Sequence, residues 1–112
     1  AQQIEGGVYM GLGFCLMEEI VQKDGRMHNP DMHGYLIPTV EDVPDVLETI
    51  IVEEPYSNGP YGAKGVGEQV TVPTAPAIAN AVCDAIGIRF QELPLTPDRV
   101  VMAIAKAANG GN

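Results

Sequence analysis

From Gln2 to Ile20 the apolar residues Ile4, Val8, Tyr9, Leu12, Leu16 and Ile20 recur three or four apart, the spacing of one helical face. The pattern predicts a first helix over that stretch. Gly6, Gly7, Gly11 and Gly13 lie inside it, and each glycine in a helix interior costs up to about 1 kcal/mol relative to alanine. So many glycines imply a close approach by something else, either another backbone or a ligand. Lys23-Asp24-Gly25-Arg26 then carries the Asp-Gly pair favoured in tight turns, which predicts a short hairpin between the Glu19–Gln22 segment and Met27. Asn29-Pro30, Ile37-Pro38 and Pro44 punctuate the next stretch, so residues 28–45 read as an ordered loop.

Val46 to Glu53 alternates imperfectly and is rich in β-branched residues, which suits a strand with one or both faces covered. It ends at Pro55. Tyr56 to Glu68 is a glycine-dense loop, too irregular for helix or strand. Thr74 can cap a second helix over Ala75–Ile86, with Pro76 in its first turn and Gly87 stopping it. A third helix opens on Thr96-Pro97, a cap and a proline at the first helical position, and turns Val100, Val101, Ile104 and Ala105 inward. Residues 109–112 form a fraying tail. The whole is an α+β arrangement of about three helices with a small mixed or antiparallel sheet.

At 112 residues and 46% hydrophobic content the chain fits one compact domain near the lower end of what buries a large core. It starts abruptly at Ala1 in a patterned segment, which suggests a piece of a longer chain. The formal charge of −9 repels a phosphate backbone and sets nucleic-acid binding aside. Charged residues or Gly/Pro interrupt every apolar stretch before the roughly 18 residues of a membrane-spanning helix. Cys15 and Cys83 sit in apolar surroundings without a CxxC partner, and read as small core hydrophobes rather than a zinc site or disulfide framework. A reducing, cytoplasmic setting is compatible with this.

The informative stretch is Gly62-Ala63-Lys64-Gly65-Val66-Gly67-Glu68. It fails as a phosphate loop, because Gly65 rather than Ser or Thr follows Lys64, and as a dinucleotide fingerprint, because no third glycine follows Gly67. There remains a backbone stripped of side chains, able to bring N–H groups close to a bulky ligand, and ending in a carboxylate. On chemistry alone a surface turn with a solvated glutamate is the simpler account. His28, His33 and Asp31 share no helical face and do not form a convincing metal site. The adjacent acids Glu18-Glu19, Glu41-Asp42 and Glu53-Glu54 point apart and read as solvated.

A family resemblance changes that balance. Gly59-Pro60-Tyr61-Gly62-Ala63-Lys64-Gly65-Val66-Gly67-Glu68 resembles the segment of molybdenum hydroxylases, the xanthine dehydrogenase and aldehyde oxidoreductase family, that passes beside the metal and ends in their active-site glutamate. Gln3-Ile4-Glu5-Gly6-Gly7 with Gly11-Leu12-Gly13 is similar to the family's Q-x-E-G helix, and Tyr35-Leu36-Ile37-Pro38-Thr39 with Asp42-Val43-Pro44 to its following loop. Ala75 to Ala81, then Leu93-Pro94-Leu95-Thr96-Pro97, resemble its closing helices. The resemblance covers nearly the whole chain, in the order of the carboxyl end of the molybdenum-binding subunit.

The resemblance implies that Glu68 is the catalytic base, taking a proton from a hydroxide on molybdenum so that the oxygen, which derives from water, attacks an electron-poor carbon. The substrate would be an N-heterocycle, purine or nicotinate-like, or an aldehyde. Gln3 would hydrogen-bond the pterin, an amide both donating and accepting, while Ala63, Lys64, Gly65, Val66 and Gly67 contribute mainly backbone. The implied cofactor is molybdenum–molybdopterin or its cytosine dinucleotide form, with iron–sulfur clusters and FAD on other domains or subunits. The partners are then the remainder of the molybdenum-binding subunit and iron–sulfur and flavin subunits. Residues 1–112 would be part of that cofactor-binding domain, inactive alone, in the cytoplasm or the periplasm. The rival account is a non-catalytic structural or interaction domain.

Overall fold

The computed structural model describes residues 1–110; of the expected tail, Gly111 and Asn112 lie outside the described residues. Helix α1 spans Gln2–Leu16, a turn shorter than its apolar pattern. It stops because the Met17 and Glu18 amides both turn back onto the Gly13 carbonyl, freeing Glu18 and Glu19 for other work. A two-stranded antiparallel hairpin comes next, β1 (Gln22–Lys23) and β2 (Arg26–Met27), with Gln22 opposite Met27 and Lys23 opposite Arg26. Asp24 at φ 51° and Gly25 at φ 73° give the turn the two left-handed residues that an Asp-Gly hairpin demands.

The loop after the hairpin is ordered by its polar residues. Asn29 accepts from the Val21 amide at 2.8 Å and donates to the Glu19 carbonyl at 2.6 Å, and Tyr35 donates to Glu18 Oε2 at 2.6 Å. Thr39 and Asp42 close a reciprocal capping box around the short 3₁₀ turn Val40–Asp42. The two Thr39 donors hold the Asp42 carboxyl below the usual aspartate range.

Helix α2 covers Thr71–Ile86, entered through a 3₁₀ turn at Glu68–Val70. It therefore begins before the predicted Ala75. Thr74 caps nothing; its hydroxyl donates to the Val70 carbonyl at 2.9 Å inside the helical run, and Pro76 lies in the helix body. Gly87, left-handed at φ 72°, ends the helix as expected. Helix α3 is Pro97–Ala108, with Thr96 at the position before it but making no side-chain capping hydrogen bond.

The centre is small. Cys15 is fully buried and Leu95 nearly so, and the Leu95 amide donates to the Cys15 carbonyl at 2.6 Å. Cys83 is only half-buried. Gly7 and Gly11 are buried where α1 meets α2: a Cβ on Gly7 would fall 2.7 Å from Val70 Cβ, and one on Gly11 2.5 Å from Thr74 Cβ. The close approach implied by the glycines is thus a neighbouring helix. Arg99 of α3 pairs with Glu19 at 2.6 Å and donates to the Pro94 carbonyl.

Three further expectations need correction. Residues 46–53 form no strand, because no second strand lies beside them among the described residues, and Val46, Ile50 and Val52 are each more than three-quarters exposed. Val101 and Ile104 of α3 face outward, Val100 alone of the four apolar residues being half-buried, since no other described helix or strand packs extensively against α3. Glu18 and Glu19 are not a solvated pair; they point apart, one to Tyr35 and the other to Arg99. No helix among the described residues is long and apolar enough to cross a membrane.

Candidate cofactor and active site

The loop between Pro55 and Glu68 is held in shape by its own backbone. The Tyr56 amide donates to the Gly62 carbonyl, the Gly62 amide to Gly59 and the Ala63 amide to Pro60, each at 3.0 Å. Within the turn Pro60–Ala63, Tyr61 at φ 55°, ψ 23° and Gly62 at φ 79° are both left-handed. Glycine adopts that region freely, but for a residue with a Cβ it costs about 1–2 kcal/mol. The Tyr61 side chain gains nothing locally in return, being fully exposed.

Beyond the turn, Gln69 fastens the loop to the next helix. Its amide oxygen accepts from the Gly67 N–H at 2.8 Å and its amide nitrogen donates to the Gly65 carbonyl at 3.3 Å. The Thr71 hydroxyl donates to the Glu68 carbonyl at 2.7 Å. Glu68 is therefore less a loop residue than the first residue of a helical run continuing to Ile86. Neither Gln69 nor Tyr61 was singled out by its sequence. The amide's spacing from two glycines was the available signal for Gln69, since an amide can donate and accept at once. Tyr61 had none, because Pro-Tyr-Gly reads as an ordinary turn.

Two hollows open on this loop, and Gln3 lines both. The smaller, about 140 Å³, lies between the first two turns of α1 and the start of the α2 run, where Gln3, Gly6, Gly67 and Glu68 meet. A Cβ on Gly6 would touch nothing within 4 Å, so the α1 side of this hollow is open. The larger, about 980 Å³, runs along the loop past Tyr61, Lys64, Gly65 and Val66, with residues 50–55 as its other wall. Of the seven residues expected at the site, six line one hollow or the other; Ala63 lines neither, its amide being spent on Pro60.

The donors around these hollows are backbone and amide groups. Among the described residues the N–H groups of Lys64, Gly65 and Val66 make no hydrogen bond, and the Gln3 and Glu68 side chains are exposed. Such a set fits a polar-edged, flat cofactor better than a bare metal ion, and no group of three His, Cys, Asp or Glu residues is arranged to hold one among the described residues. Glu68 supplies a carboxylate able to accept a proton, in a hollow wide enough for a small group.

Residues 1–44, which include Gln3, match the molybdopterin cofactor-binding domain family. The chain is 43% identical over 102 residues to a probable xanthine dehydrogenase subunit of Bacillus subtilis (strain 168), covering 91% of this chain and 14% of that protein. It is 36% identical over 102 residues to an aldehyde oxidoreductase of Megalodesulfovibrio gigas, covering 91% of this chain and 11% of that one. Matches of 102 residues in a chain of 112 must include the loop from Gly59 to Glu68. Among solved structures, quinoline 2-oxidoreductase from Pseudomonas putida 86 superposes with a TM-score of 0.85 at 32% identity, covering 94% of this chain and 14% of that chain. The chain thus spans about one-seventh of the length of the relatives it matches. Matched over nine-tenths of its residues, this chain belongs to the xanthine dehydrogenase and aldehyde oxidoreductase family of molybdenum hydroxylases.

Proposed function

We propose that the chain forms one wall of the molybdenum–molybdopterin site of a hydroxylase acting on an N-heterocycle or an aldehyde, and that Glu68 is its general base. The observation that carries this reading is the meeting of Gln3 and Glu68 in one hollow. The family match adds weight from the relatives' side, whose names specify xanthine, aldehyde and quinoline chemistry.

The Gln3 amide and the N–H groups of Lys64, Gly65 and Val66 would hold the pterin, in the plain or the cytosine dinucleotide form, with Gly67 admitting it closely. When bound, that cofactor supplies two-electron redox chemistry. In the reaction a substrate C–H bond breaks and a C–O bond forms with oxygen from water. The reaction yields two electrons, which the bound cofactor would take up, and two protons. Glu68 accepts one of those protons at its carboxylate, making the oxygen nucleophilic as it attacks; a positioned base of this kind contributes about 10²–10⁴-fold. Gln69 keeps the carboxylate in place by fixing Gly65 and Gly67 on either side of Val66. The electrons would leave through iron–sulfur clusters and flavin on partner subunits.

In the intact enzyme that carries this chain, Glu68→Gln preserves shape and hydrogen bonding but not proton acceptance. Molybdenum and pterin content should stay at the wild-type level while turnover falls by roughly a hundredfold or more. Near-normal turnover would remove Glu68 from the role.

A further inference from the structure

Tyr61 combines three properties that no local interaction explains. It is a bulky residue in the left-handed region at φ 55°, its ring is fully exposed, and it lines the 980 Å³ cavity. Strain of this kind persists where the side chain serves something beyond the turn, because glycine at the same position would close Pro60–Ala63 without cost.

We infer that Tyr61 is a cofactor-recognition residue whose ring packs against the flat face of a pterin seated in the larger cavity. The assignment rests on the reading of the chain as part of a molybdopterin site. The cavity has the complementary chemistry. Its volume is at the upper end of small-molecule sites, about 300–1,000 Å³. The Gln3 amide and the N–H groups of Lys64, Gly65 and Val66 answer a ring's polar edge. Ile50 and Val52 on the far wall offer apolar surface. A ligand with polar edges and apolar faces needs an aromatic or aliphatic plate as well as donors, and Tyr61 is the one aromatic ring on this lining.

The test compares Tyr61→Gly and Tyr61→Phe in the intact enzyme. Pterin released on gel filtration is followed by the fluorescence of its oxidised form, and melting of the cofactor-free protein is measured in parallel. Stacking of a base on an aromatic side chain corresponds to about tenfold or more in binding. Tyr61→Gly should therefore release pterin about tenfold faster, Tyr61→Phe should match wild type, and the cofactor-free Tyr61→Gly protein should melt at or above the wild-type temperature because the strain is gone. Equal pterin retention in Tyr61→Gly would overturn the inference. A lower melting temperature for the cofactor-free variant would also overturn it, since the ring would then be packing against polypeptide. Wild-type enzyme that holds no pterin at all would instead overturn the proposed function beneath it.

Discussion

The contact between α1 and α2 positions everything around Glu68, and Gly11→Ala probes it directly. The added Cβ would lie 2.5 Å from Thr74 Cβ, 2.8 Å from its Cγ2 and 3.0 Å from its Oγ1. Carbon atoms rest about 3.5–4.0 Å apart, so the helices must part by about 1 Å; a Cβ cannot swing aside as a side-chain tip can. Overpacking costs about 1–3 kcal/mol, and alanine's better helix propensity returns about 0.5–1 kcal/mol. The net is about 1–2 kcal/mol against the packed state. Gly6→Ala is the control on the same helix, because its Cβ meets nothing within 4 Å and only the propensity gain applies. Hydrogen exchange in the intact enzyme reads both. Amides of Gly7–Leu16 should open about 5–30 times more readily in Gly11→Ala and about 2–5 times less readily in Gly6→Ala. Wild-type protection in Gly11→Ala, or lost protection in Gly6→Ala, would refute the packing argument.

Gln69→Leu keeps the bulk of the side chain but removes both bonds to Gly65 and Gly67. Turnover should drop and proteolytic cutting at 63–67 should rise with Glu68 untouched; an unaltered loop would show that the staple is idle. Arg99→Lys retains charge but loses the second bond to the Pro94 carbonyl. With both partners more than a third exposed the loss should stay below about 1 kcal/mol, seen as modestly faster exchange across Pro97–Ala108 and absent if the pair contributes nothing. Asp42 should titrate below the ordinary aspartate range because the Thr39 amide and hydroxyl both favour its charged form. The capping contribution is then present above the unfolded aspartate pKa and disappears as pH falls through the lower folded value. NMR titration should find the Asp42 midpoint rising in Thr39→Ala, which keeps the backbone donor but loses the hydroxyl, and identical midpoints would mean that the hydroxyl does not hold the carboxylate in solution.

What could be read from the sequence divides along a physical line. Features closed within a few residues were legible: the Asp24-Gly25 hairpin, the Gly87 stop and the Thr96-Pro97 start each depend on local backbone preference alone. The glycines of α1 announced a close neighbour without naming it, because a missing Cβ records proximity but not identity. Apart from the early start of α2 and the idle Thr74 cap, the misreadings concern residues whose fate depends on distant partners. Val46 to Glu53 has the composition of a strand yet stays unpaired among the described residues, and Val101 and Ile104 have the spacing of a core face yet are exposed. Apolar patterning registers a demand for burial, whereas a 112-residue stretch matching about one-seventh of its relatives does not contain every surface that would meet it. The site divides in the same way. Glu68 and Gln3 could be marked by motif, but their sharing of one hollow follows from the Gly7–Val70 and Gly11–Thr74 contacts, which bring the start of α1 against the start of the α2 run. Tyr61 lay beyond any pattern, since its oddity is a backbone angle and not a residue choice. It is at that angle that local stability and the needs of a ligand pull in opposite directions.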